Sequence, residues 1–302
     1  MIKKLTSLSH KTLFLFLVII IAIGAVFYVS ANKAKPIATS GLPEYLNLGN
    51  SYVFKIPKNY SVDAQSVPGA ELIYSTPITA KTVDDIYNQS GIAAQPLALT
   101  DHSPKAFKDY VNGTYLSDLK KNLSTNDVEV KFGKTNGSDN VKITVRKDGK
   151  QIRYIYLKGG QHPVAVLAKT ETDNFKVIEQ TINDVENSDL ENETDGIKKS
   201  IQNNIQLAKD QKAQELYAGA APALRAQITQ DTLASGLKSA SSYLAQNIAV
   251  SGGSYSAGEF SAALRFTPVG QDNPQPTFGA IALKKIDGQW KLQALSLPTP
   301  KQ

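Results

Sequence analysis

The chain has 302 residues, 41% hydrophobic and 20% charged, with a formal charge of +6 and no cysteine. This is the composition of a globular chain, not a disordered one. The lack of cysteine excludes disulfides, thiol catalysis, iron–sulfur clusters, cysteine zinc sites and an acylated lipoprotein anchor. The positive charge is local, because Lys3, Lys4, Lys11, Lys33 and Lys35 precede the first acid. Without those five, 28 basic residues face 27 acidic ones, so no basic face for nucleic acid is expected.

Leu13 to Val29, LFLFLVIIIAIGAVFYV, is a run of 17 residues without a charge. A helix of that length spans about 25 Å, and Thr12, Ser30 and Ala31 extend it at little cost. Tyr28 suits the interface, and the three preceding lysines keep the N-terminus cytoplasmic. The expectation is a cytoplasmic segment at 1–12, a single-pass signal-anchor at 13–31 contacting the lipid bilayer through Leu13 to Val29, and a stalk at 32–41. The bulk of the chain then lies outside the cytoplasm of a bacterial cell. The alternative is secretion after cleavage following Ala31, since Val29-Ser30-Ala31 is small-residue in character.

The segment 42–186 alternates strand and helix signals. Ser51 to Ile56 reads as a strand stopped by Pro57, with further strands at Ala70 to Tyr74 and Ile92 to Leu99. Ser103-Pro104 starts a helix on which Phe107, Tyr110, Val111, Leu116, Leu119 and Leu123 recur at helical spacing. Strands follow at Val128 to Phe132, Val141 to Arg146, Gln151 to Leu157 and Pro163 to Ala168, with Asp148-Gly149 marking a hairpin turn. Asp173 opens a closing helix with Phe175, Ile178, Ile182 and Val185 on one face. The opening Phe54-Lys55-Ile56-Pro57 with Tyr60, the central helix, the antiparallel run and the closing helix from Phe175 to Asp184 resemble the PsbP family, the extrinsic photosystem proteins and their non-photosynthetic bacterial relatives. The resemblance implies an α/β/α sandwich on an antiparallel sheet and an accessory or binding role.

Residues 187–196, NSDLENETDG, read as an acidic linker. In 197–298 a helix is expected from Ile197 to about Ala218, a turn at Ala221-Pro222, and a helix capped by Thr229 that carries Leu233, Leu237 and Leu244. Strands are expected at Ile248 to Ser256, Phe260 to Val269, Phe278 to Ile286 and Gln289 to Leu297, the last pair joined at Asp287-Gly288. The lysine-rich strand, the turn and Trp290-Lys291-Leu292, with Ile228-Thr229 between helices, resemble the nuclear transport factor 2-like (cystatin-like) fold. That resemblance implies a curved antiparallel sheet bent around a cone-shaped pocket. Trp290 and Phe278 are expected to pack under the helices, with lining of the pocket as the alternative. Residues 299–302 are a tail.

No catalytic, cofactor-binding or metal residue is assigned, and no cofactor is expected. Residues 197–302 hold no histidine, and their acids are Asp210, Glu215, Asp231, Glu259, Asp272 and Asp287. Asp287 belongs to a turn, Asp231 to a helix start, and Glu259 reads as a solvated strand start. His102 beside Asp101 and Ser103 is no triad, because adjacent residues do not converge. His162 sits in a Gly-rich turn, and two isolated histidines make no metal set. Gly159-Gly160 and Gly252-Gly253 lack the spacing of a phosphate loop. The expectation is a non-catalytic protein that binds an envelope protein or a small ligand. The alternatives are a small-pocket hydrolase or isomerase in the C-terminal segment and a structural spacer.

The absence of native cysteine makes the topology directly testable. In spheroplasts, Ser40→Cys is expected to react with a membrane-impermeant maleimide, and Ser7→Cys only after permeabilisation. Labelling of Ser7→Cys from outside would reverse the orientation.

Overall fold

The computed structural model describes residues 37–270 and 274–298. The expected N-terminus, the membrane segment at 13–31, residues 32–36 of the stalk and the tail at 299–302 lie outside the described residues. Among the described residues no helix is long and apolar enough to cross a membrane. The chain divides into two units, Met1–Ala38 and Thr39–Gln302, and every element below belongs to the second. It is a mixed α+β fold in which each strand pair described is antiparallel.

A strand that the sequence did not announce comes first. Strand β1 (Glu44–Asn47) pairs with β2 (Tyr52–Lys55) as a hairpin. β3 (Ser61–Asp63), β4 (Glu71–Tyr74), β5 (Ile92–Pro96), β6 (Val128–Thr135), β7 (Ser138–Lys147), β8 (Lys150–Lys158) and β9 (Val164–Ala168) form a seven-stranded sheet in the order β3-β4-β5-β9-β8-β7-β6. The turn between β7 and β8 has Asp148 and Gly149 both at positive φ, 53° and 71°, as the Asp-Gly pair demands.

Side chains alternate across this sheet. Leu72, Ala93, Ile143, Ile155 and Leu167 face a helical layer that supplies Phe107, Val111, Leu116 and Leu119. The single helix expected there is α1 (Pro104–Tyr110) and α2 (Leu116–Leu123) joined by one π-helical turn, Val111–Tyr115. The extra residue of that turn makes the step from Val111 to Leu116 five instead of four, which keeps Leu116 and Leu119 on the sheet side. Ser103 caps α1, its hydroxyl accepting from the Ala106 amide at 3.2 Å. On the opposite face Ile73, Ile92, Tyr154, Tyr156 and Val166 meet Phe175 and Ile178 of α3 (Asp173–Thr181), and also Tyr45, Tyr52 and Phe54 of the hairpin.

The hairpin also lies within the other sheet. β10 (Asn183–Asp184), β2, β1, β12 (Gly252–Ser256), β13 (Glu259–Thr267), β14 (Thr277–Ile286) and β15 (Gln289–Ser296) run in that order, and β11 (Asn247–Ala249) pairs with β13. Strands from 44–55 therefore continue a sheet built mainly from 247–296. Leu46 lies opposite Gly253 and Asn47 opposite Gly252. A Cβ on Gly252 would stand 2.5 Å from the Leu46 carbonyl oxygen, and one on Gly253 would overlap that of Ser261. Gly252-Gly253 is thus a close approach of three strands.

One face of β13 to β15 presents Phe260, Leu264, Phe266, Ile281, Leu283 and Leu292 to a helical layer. That layer is α4 (Glu191–Lys209), α5 (Ala213–Gly219), α6 (Pro222–Gln227), α7 (Gln230–Ser239) and α8 (Ser241–Leu244). Residues 191–196, read from the sequence as linker, are the first turns of α4. Their acids are favourable there because Glu191 and Glu193 sit at the positive end of a helix dipole. The helix expected to run to Ala218 stops at Lys209, where Gln211 takes φ +57°, and α5 begins anew. Thr229 caps α7 as anticipated, accepting from the Thr232 amide at 3.1 Å.

Buried polar bonds join the two sheets. Lys158 of β8 and Asp184 of β10 are 2.9 Å apart with side chains 1% and 2% exposed. The Asp184 carboxylate also accepts from the Gln161 and His162 amides, both at 3.3 Å, and the ammonium donates to the Gly159 carbonyl at 3.1 Å. Gly160, at φ +119°, leaves room for the pair, since a Cβ there would lie 2.7 Å from the Asp184 carboxylate. Removing one partner strands a buried charge. Asp184→Ala is expected to cost about 3–5 kcal/mol in urea unfolding, and Asp184→Ala with Lys158→Met to recover most of it. A double variant no more stable than the single one would refute the pairing.

Candidate functional site

The face of the eight-stranded sheet that points away from the helical layer changes character along its width. On β2 and β1 it carries Phe54, Tyr52, Tyr45 and Asn47, all buried under the seven-stranded sheet. From β12 onward it carries Ser254, Ser261, Ala263, Ala280, Ala282, Ala294 and Ser296, and the other sheet ends above them. Large residues give way to small ones at the place where the covering layer stops. A cleft of about 600 Å³ opens there.

Its wall is Val62 to Ser66, the end of β3 and the loop after it. Asp63 holds that loop in shape. One carboxylate oxygen accepts from the Gln65 and Ser66 amides at 2.7 and 3.1 Å, and the other accepts from the Ser66 hydroxyl. Phe278, 41% exposed, stands over the floor. The sequence reading put Phe278 beneath the helices. β14 alternates instead, and Phe278 shares its parity with Ala280 and Ala282 on the outer face, not with Ile281 and Leu283.

Trp290 follows the reading. It is half-buried against α4, where its indole nitrogen donates to Glu193 at 3.2 Å and Gly196 leaves the ring its place. Lys285 bonds the other oxygen of Glu193 at 2.5 Å. Tyr255 meets the ring edge-on at 6.1 Å between centroids.

Behind the cleft lies the most perturbed acid described. Glu71 of β4 is 3% exposed. It accepts from the Asn47 amide at 2.5 Å and from the Tyr52 hydroxyl. Burial pushes its carboxyl up to about 7, against the lowering effect of those two donors. The same burial, with the Glu71 charge second, raises the Tyr52 and Tyr45 hydroxyls. A carboxyl near neutrality suits proton transfer when a substrate reaches it. Glu71 does not line the cleft, and only Tyr45 of this group does. The only carboxylate in the lining is Asp63, whose oxygens are both engaged by its own loop.

The other candidates stay apart. The ring Nε2 of His102 is 2.9 Å from the Leu99 carbonyl, and that of His162 is 3.3 Å from Glu186. Glu259 is an exposed strand start paired with Lys284 at 2.8 Å, as its position suggested. Asp287 takes φ +51° in the β14–β15 turn. Asp272 lies outside the described residues. Among the described residues no group of three His, Cys, Asp or Glu is placed to hold a metal ion. Tyr45 and the 62–66 loop are the site residues that sequence reasoning missed, and Phe278 was named there but expected beneath the helices first. The outer-face parity of Phe278 was the one available signal. No family model matches this chain, and no curated protein matches it.

Proposed function

We propose that this chain is a membrane-tethered, extracytoplasmic protein with a binding or assembly role, and that the cleft beside the β1–β2 hairpin is where it binds. The observation that carries this reading is the cleft lining. It has the size of a small-ligand or side-chain pocket, a floor of alanine, serine and glycine, one exposed aromatic ring, and no pair of free titratable groups. Binding needs shape and a few hydroxyls, whereas acid–base or nucleophilic chemistry needs convergent reactive groups. The apolar run at 13–31 supports the tether. The finer reading, a PsbP-like layer followed by a nuclear transport factor 2-like one, draws support from the helix order and from the hairpin at Asp287-Gly288.

The test compares the detergent-solubilised full chain with Ala280→Trp, which fills the floor from an exposed position. The variant is expected to keep its stability, as surface substitutions do, within about 0.5 kcal/mol. It is also expected to lose capture of crosslinked envelope proteins and thermal shifts by small ligands. Equal capture and equal shifts by both forms would remove the cleft from the account.

A further inference from the structure

Three buried acids are described, and two of them have cations. Asp184 has Lys158, and Glu179 has Lys142. Glu71 has none. The groups facing it are Asn47 and Tyr45 on β1 and Tyr52 on β2, while Asp63 at the end of β3 acts on Tyr45. All are neutral or acidic. Asn47 and Tyr52 already donate to the two carboxyl oxygens. The Tyr45 hydroxyl is sealed from solvent and faces the same carboxyl as a further O–H donor. An ionised Glu71 is therefore a lone negative charge between two sheets. Its partners are neutral donors, which soften that charge without cancelling it.

We propose that Glu71 is a proton-operated catch between the two sheets. Neutral, it keeps its bonds to Asn47 and Tyr52 without a buried charge and holds β4 against the β1–β2 hairpin. Ionised, it leaves an uncompensated charge in the joint and loosens it. Burial raises this carboxyl from 4.5 to about 7, so the catch works close to neutral pH. The direction follows from linkage. The folded chain holds the proton more tightly than the unfolded one. The stabilisation is complete below about pH 4.5 and is lost as pH rises through about 7. Across that window the folding constant changes by about 300-fold. Tyr45 also lines the cleft, so the same proton adjusts the cleft wall. That last consequence rests on the binding role proposed above, and the catch itself does not.

The experiment is carbon-13 detection of glutamate carboxyls in the full-length chain in detergent, from pH 4 to 9, beside urea unfolding over the same range. One carboxyl is expected to titrate near pH 7 and to vanish in Glu71→Gln. Stability of the wild-type chain is expected to fall with rising pH, and Glu71→Gln to lose the Glu71 share. Glu179 and Glu44, also raised by burial, contribute the slope common to both. Tyr45→Phe, which removes a donor to the ionised form, is expected to raise the midpoint. A Glu71 midpoint below pH 5 overturns the proposal, and so does a midpoint lowered in Tyr45→Phe or a pH dependence of stability that Glu71→Gln leaves unchanged. If Glu71→Gln does not fold, the wild-type titration and Tyr45→Phe decide alone. None of these readouts requires the cleft to bind anything.

Discussion

The fold depends on one short hairpin that is buried on both faces. In β1 and β2 alternate residues serve two different cores. Leu46 and Val53 enter the core under α4 to α8, and Tyr45, Tyr52 and Phe54 enter the core against the seven-stranded sheet. Such a strand has no solvent side, so a slip of one residue would exchange the two sets. Phe54 is fully buried, with Tyr45 at 5.2 Å and Tyr52 at 6.5 Å between ring centroids. These aromatic contacts add to an area term that already favours burial.

The polar groups in the same joint follow from that burial. A strand packed between two cores still carries side chains that need partners, and an unmet buried donor or acceptor costs about 1–3 kcal/mol. Asn47 meets the need twice, accepting from the Asn50 amide at 2.7 Å and donating to Glu71. Lys158 with Asp184 does the same work at the β10 edge. The cleft is the complement of this arrangement. Where the seven-stranded sheet stops, large side chains on the eight-stranded sheet would be exposed, and small ones stand there instead. A void with a neutral floor results, well suited to holding a partner and poorly equipped for chemistry.

Local features were legible in the sequence and long-range ones were not. The strands from Val128 to Ala168, the two Asp-Gly turns and the caps at Ser103 and Thr229 all depend on neighbours within a few residues. β1 was missed because Glu-Tyr-Leu-Asn is only four residues long and stands between Pro43 and Gly49. Its pairing with Gly252–Ser256 joins residues some two hundred positions apart, which no local pattern records. The acids at 191–196 were read as linker polarity, when they equally mark a helix N-terminus. Glu71 could be placed on a strand, but its burial depends on Asn47 and Tyr52 arriving from another sheet.

The central claim is that the hairpin makes the two sheets one cooperative body. Trp290 is the only tryptophan, and it reports on the helical side of the eight-stranded sheet. Phe54 faces the opposite core, so Phe54→Ala leaves the surroundings of Trp290 untouched. The most direct measurement is urea unfolding of Phe54→Ala, followed by Trp290 fluorescence and by far-ultraviolet circular dichroism. Both transitions are expected to move together, by about 3–5 kcal/mol. A fluorescence midpoint that stays at its wild-type position while the dichroism shifts would contradict the account.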